Sequence, residues 1–144
     1  MGDSKPVSYS AGGIVVNKKG EICLVRDKNL DLNDWFIPKG QKENGETSIE
    51  TAKREIWEET GLGGLNLVKK LGKIRRPNME NPEELKIIDI FLFRASEERI
   101  EPQEDCTKAE WFEISEAENN LCSKDEREFF QKHKDEIINA VDVK

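Results

Sequence analysis

The chain has 144 residues, of which 35% are hydrophobic and 37% are charged, with 23 basic side chains against 30 acidic ones and a net charge of −7. A chain of this length can bury a hydrophobic core, and we expect one domain over residues 1–144. An acidic chain is a poor candidate for binding duplex nucleic acid, which basic residues drive. No apolar run reaches the roughly 18 residues that a membrane-spanning helix needs.

Cysteine and histidine content narrows the chemistry further. The three cysteines, Cys23, Cys106 and Cys122, are too few and too scattered for a disulfide framework, so we expect a reducing, cytoplasmic setting. His133 is the single histidine of the sequence, which excludes a Cys/His zinc finger and any site with several histidine ligands. Catalysis by this chain is therefore expected to depend on carboxylates.

The first part of the chain predicts a β-hairpin followed by loops. Two apolar runs separated by a polar Asn-Lys-Lys-Gly turn are typical of paired strands. The predicted elements are, in order, a strand over 9–16, a turn over 17–20, a strand over 21–26, a loop over 27–34, a short apolar run over 35–37 and a loop over 39–46.

A capping box, Thr47-Ser48-Ile49-Glu50, predicts the start of a helix, and Gly61 provides a natural end. The rest of the chain predicts alternating strands and loops and then helices. These elements are strands over 65–76, 85–95 and 109–112, loops over 77–84 and 97–108, a short helix over 115–121, and a helix opened by a second capping box at 123–126, with Phe129, Phe130, Ile137 and Ile138 on its apolar side. Together they predict an α+β domain with a mixed sheet and two or three helices.

The helix that begins near Thr47 carries three glutamates, Glu55, Glu58 and Glu59, within an arc of roughly 100°. Like charges at this spacing repel by about 0.2–0.5 kcal/mol per pair, and the C-terminal end of a helix disfavours carboxylates. A divalent cation would reverse both effects, because carboxylate oxygens are the ligands that Mg²⁺ and Mn²⁺ prefer. The helix alone is equally compatible with a solvated acidic face, since 21 of 144 residues are glutamate.

The residues before this helix favour the metal interpretation. Gly40 is followed after five residues by Glu46, and seven residues later by the run Arg-Glu-Ile-Trp-Glu-Glu-Thr-Gly-Leu. This spacing resembles the Nudix box, G-x5-E-x7-R-E-U-x-E-E-x-G-U, in which U is aliphatic. The matching positions are Gly40, Glu46, Arg54, Glu55, Ile56, Glu58, Glu59, Gly61 and Leu62. The resemblance implies a Nudix-like sandwich, with helices flanking a mixed β-sheet.

The resemblance also implies the site. Glu55, Glu58, Glu59 and the backbone carbonyl of Gly40 would bind two or more Mg²⁺ or Mn²⁺ ions, and Arg54 would orient the glutamates. Such ions neutralise a pyrophosphate and lower the pKa of a bound water, so no histidine or cysteine nucleophile is needed. In the family the general base comes either from the box or from a later loop, and this chain has Glu104 and Asp105 in such a loop. These two residues are equally well explained as loop charges.

Substrate residues are predicted outside the box. Trp35-Phe36-Ile37-Pro38-Lys39-Gly40 is similar to the W-x-x-P-K-G segment of diadenosine and diphosphoinositol polyphosphate hydrolases. Lys39 is a candidate phosphate ligand and Trp35 a candidate base-stacking residue, with an exposed loop lysine and a core tryptophan as the alternatives. Lys73 and Arg75, on one face of a basic strand, are candidates to clamp a polyphosphate. A solvated edge strand explains them nearly as well.

The sequence therefore predicts a Mg²⁺-dependent pyrophosphohydrolase. Its binding partner would be a small-molecule nucleotide, a nucleoside diphosphate linked to another group, with dinucleoside polyphosphates first. The alternatives are a dNTP-sanitising enzyme, an ADP-ribose pyrophosphatase, and a non-catalytic Nudix domain that senses a nucleotide.

Overall fold

The computed structural model describes residues 6–29, 34–78, 80–105 and 107–142, and these residues contain six strands and four helices. In chain order the elements are β1 Val7–Val16, β2 Glu21–Asp27, β3 Lys39–Gln41, α1 Ser48–Thr60, β4 Asn66–Pro77, β5 Leu85–Arg94, β6 Thr107–Glu113, α2 Ile114–Asn120, α3 Lys124–Lys132 and α4 Lys134–Asp142. No helix in this part of the chain is both long and apolar enough to cross a membrane. The loop predicted over 27–34 lies partly outside the described residues, and Cys106 lies wholly outside them.

The strands form one mixed sheet. Its order is β4-β5-β1-β2-β6, and β3 pairs with β1 beside that path. β1 and β5 run parallel, while the other described pairs are antiparallel. The predicted hairpin of β1 and β2 is confirmed, with Val16 opposite Ile22.

Helices cover both faces of the sheet, which confirms the predicted sandwich. On one face, α1 places Ala52 and Ile56 against the strand residues Phe91 and Phe93. On the other face, α2, α3 and α4 close over a second core. That core includes Ile88, Ile90, Leu92, Ala117, Phe130 and Ile137. Because alternate strand residues face opposite ways, β5 contributes side chains to both cores.

Strand β3 lies where the sequence predicts a loop, over 39–46. Gly12 of β1 accounts for the difference, because a Cβ there would collide with the Pro38 carbonyl and with Lys39. Without that Cβ, Lys39 pairs directly with Gly12 and Gly40 pairs with Ala11. The close approach of two backbones therefore makes a short strand from a sequence rich in turn residues.

The helix predicted after residue 123 is two helices. His133 leaves helical geometry, with φ −104° and ψ 12°, and its ring lies 4.4 Å from that of Phe129. The break separates α3 from α4, so Ile137 enters the core while Ile138 is exposed. The four helices thus exceed the predicted two or three.

The basic face predicted for β4 is also different. Strict alternation along a strand would place Lys70 on the face opposite to Lys73, but a register shift between Lys70 and Gly72 turns both toward Asp89. The shift inserts one residue into the alternation, which moves every later side chain to the other face.

A substitution at Gly61 tests how α1 ends. Gly61 has φ +80°, and a Cβ would collide with the backbone of Glu101. Gly45 has φ +86° with open space around it, so Gly45→Ala is a matched control for the left-handed conformation alone. We expect Gly45→Ala to lower the free energy of unfolding by about 1–2 kcal/mol, and Gly61→Ala to lower it by clearly more. Urea unfolding measures both, and equal losses would contradict the close contact.

Candidate functional site

Arg54 lies at the centre of the acidic cluster on α1. Its Nε donates to Glu46 Oε2 at 2.7 Å, and its Nη1 donates to Glu55 Oε2 and to Glu58 Oε1, each at 3.0 Å. Its Nη2 donates to Glu46 Oε1 at 3.1 Å and to the Gln41 carbonyl at 2.9 Å. One planar guanidinium thus gathers three carboxylates and the end of β3, which the shorter, single ammonium of lysine could not do.

The Gly40 backbone lies against the carboxylate of Glu55. A Cβ at Gly40 would overlap the carboxylate carbon and both of its oxygens. Glycine is therefore required at this position because any other side chain would displace Glu55. β3 and α1 meet at this contact, which places the Gly40 backbone beside the acidic end of the helix.

Glu59 lies one turn after Glu55 on the same helix and contacts the residue before Gly40. The Lys39 backbone N–H donates to Glu59 Oε1 at 2.8 Å. Burial raises the pKa of Glu59 to about 8, and the charges of Glu55 and Glu104 also raise it, while the Lys39 amide and ammonium oppose the shift. Glu59 thus holds a proton near neutral pH when its only neighbours are protein groups.

The pKa values of the neighbouring carboxylates are shifted in opposite directions. Burial raises the pKa of Glu55, and Arg54 opposes that shift. Hydrogen bonds from Arg54 lower the pKa of Glu46 to about 2. The site therefore combines one firmly ionised carboxylate, Glu46, with two whose ionised form is disfavoured, and an added cation would favour ionisation of those two.

The loop over 97–105 is fixed to the end of α1. The Glu101 N–H donates to the Thr60 carbonyl and the Gln103 N–H donates to the Glu58 carbonyl, both at 2.8 Å. Glu104 follows directly, and its negative charge adds to burial and nearer charges in raising the pKa of both Glu55 and Glu59. The loop thereby brings a further carboxylate close to the acidic cluster.

A cavity of about 320 Å³ opens beside Gly40 and Glu59. Its described lining includes Val25, Phe36, Ile37, Arg26, Lys39 and Lys86. Ser10 also lines it, and the buried Ser10 hydroxyl has no hydrogen-bond partner among the described residues. A buried polar group without a partner is uncommon in proteins, so the cavity offers an unfilled hydrogen-bonding site within an apolar and cationic wall.

The four predicted substrate residues occupy different environments. Lys39 lines the cavity, and its ammonium is 2.9 Å from Glu126 Oε2 and 3.0 Å from the Ile37 carbonyl. Trp35 is only 4% exposed and packs edge-on against Phe112, so Phe36 lines the cavity in its place. Lys73 and Arg75 lie on β4, away from the described lining. The burial of Trp35 therefore favours the alternative that it is a core residue and not a base-stacking one.

The acidic cluster has the donor chemistry of a site for a hard divalent cation. Its potential ligands are carboxylate oxygens and a backbone that approaches closely because Gly40 has no side chain. Within residues 6–29, 34–78, 80–105 and 107–142, no group of three carboxylate, histidine or cysteine side chains is arranged so that it could hold a metal ion. Arg54 and the Lys39 amide hold these carboxylates instead.

Comparison with known proteins agrees with this geometry. A family model described as NUDIX domain matches residues 7–133. The chain belongs to the NUDIX family. This confirms the family that the spacing of residues 40–62 indicates, and in this NUDIX domain the box runs from β3 through the following loop to the end of α1.

Individual relatives of this NUDIX chain are distant. It is 29% identical over 114 residues to the Xenopus laevis protein nucleoside diphosphate-linked moiety X motif 6, covering 74% of this chain and 49% of that protein. It is 30% identical over 103 residues to the oxidized purine nucleoside triphosphate hydrolase of Danio rerio, covering 70% and 64%. The chain thus covers less than two thirds of the length of each. A C. elegans Ap4A hydrolase structure has a similar fold, with a TM-score of 0.76 at 17% identity over 92% of this chain and 98% of that one.

Sequence reasoning missed two residues of this NUDIX site, Glu126 and Lys86. Glu126 has the spacing of a capping box, and the Ser123 hydroxyl does accept from its N–H, but its carboxylate bonds the Ile37 N–H instead. Lys86 is the one charged residue in the first four of β5, within a run that is otherwise aliphatic. That isolated charge is the signal that could have indicated it.

The raised pKa of Glu59 predicts a pH-dependent stability. Between about pH 4.5 and about 8, the folded protein holds a proton on Glu59 that the unfolded chain has released. Its contribution to stability is therefore complete below about pH 4.5 and is lost as the pH rises through about 8. We expect the melting temperature in chelator to fall across this range, and Glu59→Gln to reduce that fall. Glu58→Gln is the matched control and should keep it. An unchanged pH profile in Glu59→Gln would contradict the shift.

Proposed function

We propose that the chain hydrolyses a phosphoanhydride bond in a nucleoside diphosphate derivative, in a reaction that depends on Mg²⁺ or Mn²⁺. The observation that carries this proposal is the gathering of Glu46, Glu55 and Glu58 around Arg54, beside the Gly40 backbone. Such a cluster would repel a polyphosphate unless cations intervene. Family membership and the named relatives support the same reaction class.

Each residue then has a proposed role. Glu55, Glu58, Glu59 and the Gly40 carbonyl would hold two or more ions, which when bound neutralise the pyrophosphate and lower the pKa of a coordinated water. Arg54 keeps Glu55 and Glu58 on one side of α1. Glu104 is the proposed acceptor of the proton from the attacking water, because backbone hydrogen bonds of Glu101 and Gln103 hold its loop against the last turn of α1.

The cavity supports a nucleotide as the substrate. Phe36, Val25 and Ile37 offer an apolar wall for a base, while Arg26, Lys39 and Lys86 bring positive charge into an acidic protein. We propose a dinucleoside polyphosphate, whose several phosphates would use more than one of these cations. The second candidate is an oxidised purine nucleoside triphosphate, which the name of the Danio rerio relative favours. Lys73 and Arg75 remain proposed ligands of the distal phosphates.

The glutamates are tested by removing one ligand charge at a time. We expect no turnover without a divalent cation, and a fall in kcat of at least about 10²-fold in Glu58→Gln and in Glu59→Gln. Without metal, Glu59→Gln should be about as stable as wild type at neutral pH, because the ionised form of Glu59 is already disfavoured. Glu58→Gln loses a charged partner of Arg54 but relieves repulsion at the helix C-terminus, so its stability should change little. Glu50→Gln on the same helix keeps its cap and is the control, expected at wild-type rate. Near-wild-type rates in both site variants, or full turnover in excess chelator, would refute the proposal.

The substrate class is tested by comparing initial rates on a tetraphosphate-bridged dinucleotide, 8-oxo-dGTP and ADP-ribose. We expect the highest kcat/KM on the dinucleotide, and in Lys86→Met a rise in its KM of about 10-fold, the effect of one charge-assisted contact. The KM for ADP-ribose, which has only two phosphates, should rise less.

The double variant Lys73→Met with Arg75→Met is the second arm of this comparison. A larger effect on the dinucleotide than on ADP-ribose would support phosphate binding by β4. An equal effect on both would mean that these charges form a solvated strand face. Preference of the unmodified enzyme for 8-oxo-dGTP would replace the first substrate proposal by the second.

A further inference from the structure

Glu126 is a fully buried carboxylate in the first turn of α3. Its Oε1 accepts a hydrogen bond from the Ile37 N–H at 2.8 Å. Its Oε2 lies 2.9 Å from the Lys39 ammonium and 3.4 Å from Arg76 Nη1. Burying a carboxylate is costly unless charges and hydrogen bonds compensate it, and Glu126 has both. Two of its three partners belong to one short segment, residues 37–39.

That segment is the one that contacts the acidic cluster. The Lys39 N–H donates to Glu59 Oε1 at 2.8 Å, and the next residue, Gly40, lies against the Glu55 carboxylate. Glu126 therefore holds the chain immediately before the point where β3 meets α1. The direct link is the hydrogen bond from the Ile37 amide, which is 89 positions away from Glu126 in the sequence.

The Lys39 side chain is fixed in the same way. Its ammonium bridges Glu126 and the Ile37 carbonyl, and it lies 5.3 Å from the centre of the Phe36 ring. The side chain is only 12% exposed. With this pairing, the Lys39 charge is held at the cavity wall, close to Phe36 and to the Glu59 carboxylate that its own amide bonds.

We propose that Glu126 is a positioning residue of the active site: through Ile37 and Lys39 it sets the place of the Lys39 amide and the Gly40 backbone against Glu59 and Glu55. The catalytic part of this inference rests on the proposed pyrophosphohydrolase function. If Glu126 only stabilised α3, its removal would leave the rate of the folded enzyme unchanged. A positioning carboxylate affects the rate of the bound complex, because a small displacement of catalytic groups is costly.

Asp125 provides the matched control. It precedes Glu126 on the same turn and also accepts from Arg76 Nη1, at 3.1 Å, yet it makes no described contact with residues 37–40. Asp125→Asn and Glu126→Gln each remove one carboxylate from this turn. The two variants differ in whether the segment over 37–40 loses its anchor.

The experiment measures kcat and KM on the best wild-type substrate, together with Mn²⁺ affinity of the metal-free protein by calorimetry. In Glu126→Gln we expect kcat to fall by at least about 10-fold with KM within about 3-fold of wild type, the pattern of a contribution made in the transition state. The Mn²⁺ dissociation constant should rise by about 10-fold, as expected when groups that support metal ligands are lost. In Asp125→Asn all three values should stay within about 2-fold of wild type.

Each outcome decides the inference. A kcat for Glu126→Gln no lower than that of Asp125→Asn would overturn it. If the wild type hydrolyses none of the substrates, the proposed function fails, and Mn²⁺ affinity alone then decides: a loss confined to Glu126→Gln supports positioning, and equal affinities refute it. If Glu126→Gln does not fold, Glu126→Asp, which keeps the charge but shortens the reach, is measured in its place against the same thresholds.

Discussion

Arg54 makes an unfavourable arrangement of glutamates stable. Glu55 and Glu58 lie near the negative end of α1, where like charges repel each other and the helix dipole disfavours both. The planar guanidinium of Arg54 donates hydrogen bonds to both of these carboxylates and to Glu46, and it also donates to the Gln41 carbonyl. The acidic cluster, the loop before α1 and the end of β3 therefore all depend on one side chain.

The elements around this cluster come from distant parts of the chain. β3 lies close to β1 because Gly12 has no side chain, and close to α1 because Gly40 has none. The loop over 97–105 adds Glu104 through backbone bonds to the last turn of α1, and α3 adds Glu126 from the opposite face of the sheet. Contacts with three other segments thus hold the mutually repelling glutamates of α1 in place. We propose that this arrangement serves cation binding.

The sequence predicts what is encoded locally. The capping box at Thr47, the glycine end at Gly61 and the spacing of the glutamates all act within a few turns, so the helix and its family could be predicted. β3 and the carboxylate of Glu126 could not, because each depends on a partner in another segment. The capping-box spacing even pointed to a different use for Glu126. Burial of Trp35 likewise depends on packing that its own neighbours in sequence do not reveal.

Anomalous diffraction from crystals of the protein soaked in MnCl₂ is the most direct measurement of metal binding by this cluster. If Glu55, Glu58, Glu59 and the Gly40 carbonyl are the ligands, an anomalous peak should lie within coordination distance of their oxygens, about 2 Å. The ion should then bind carboxylate oxygens of Glu55 and Glu58, the two residues of this set that pair with Arg54. Saturating Mn²⁺ that gives no peak at the acidic end of α1, or a peak bound by other residues, would contradict cation binding by these glutamates.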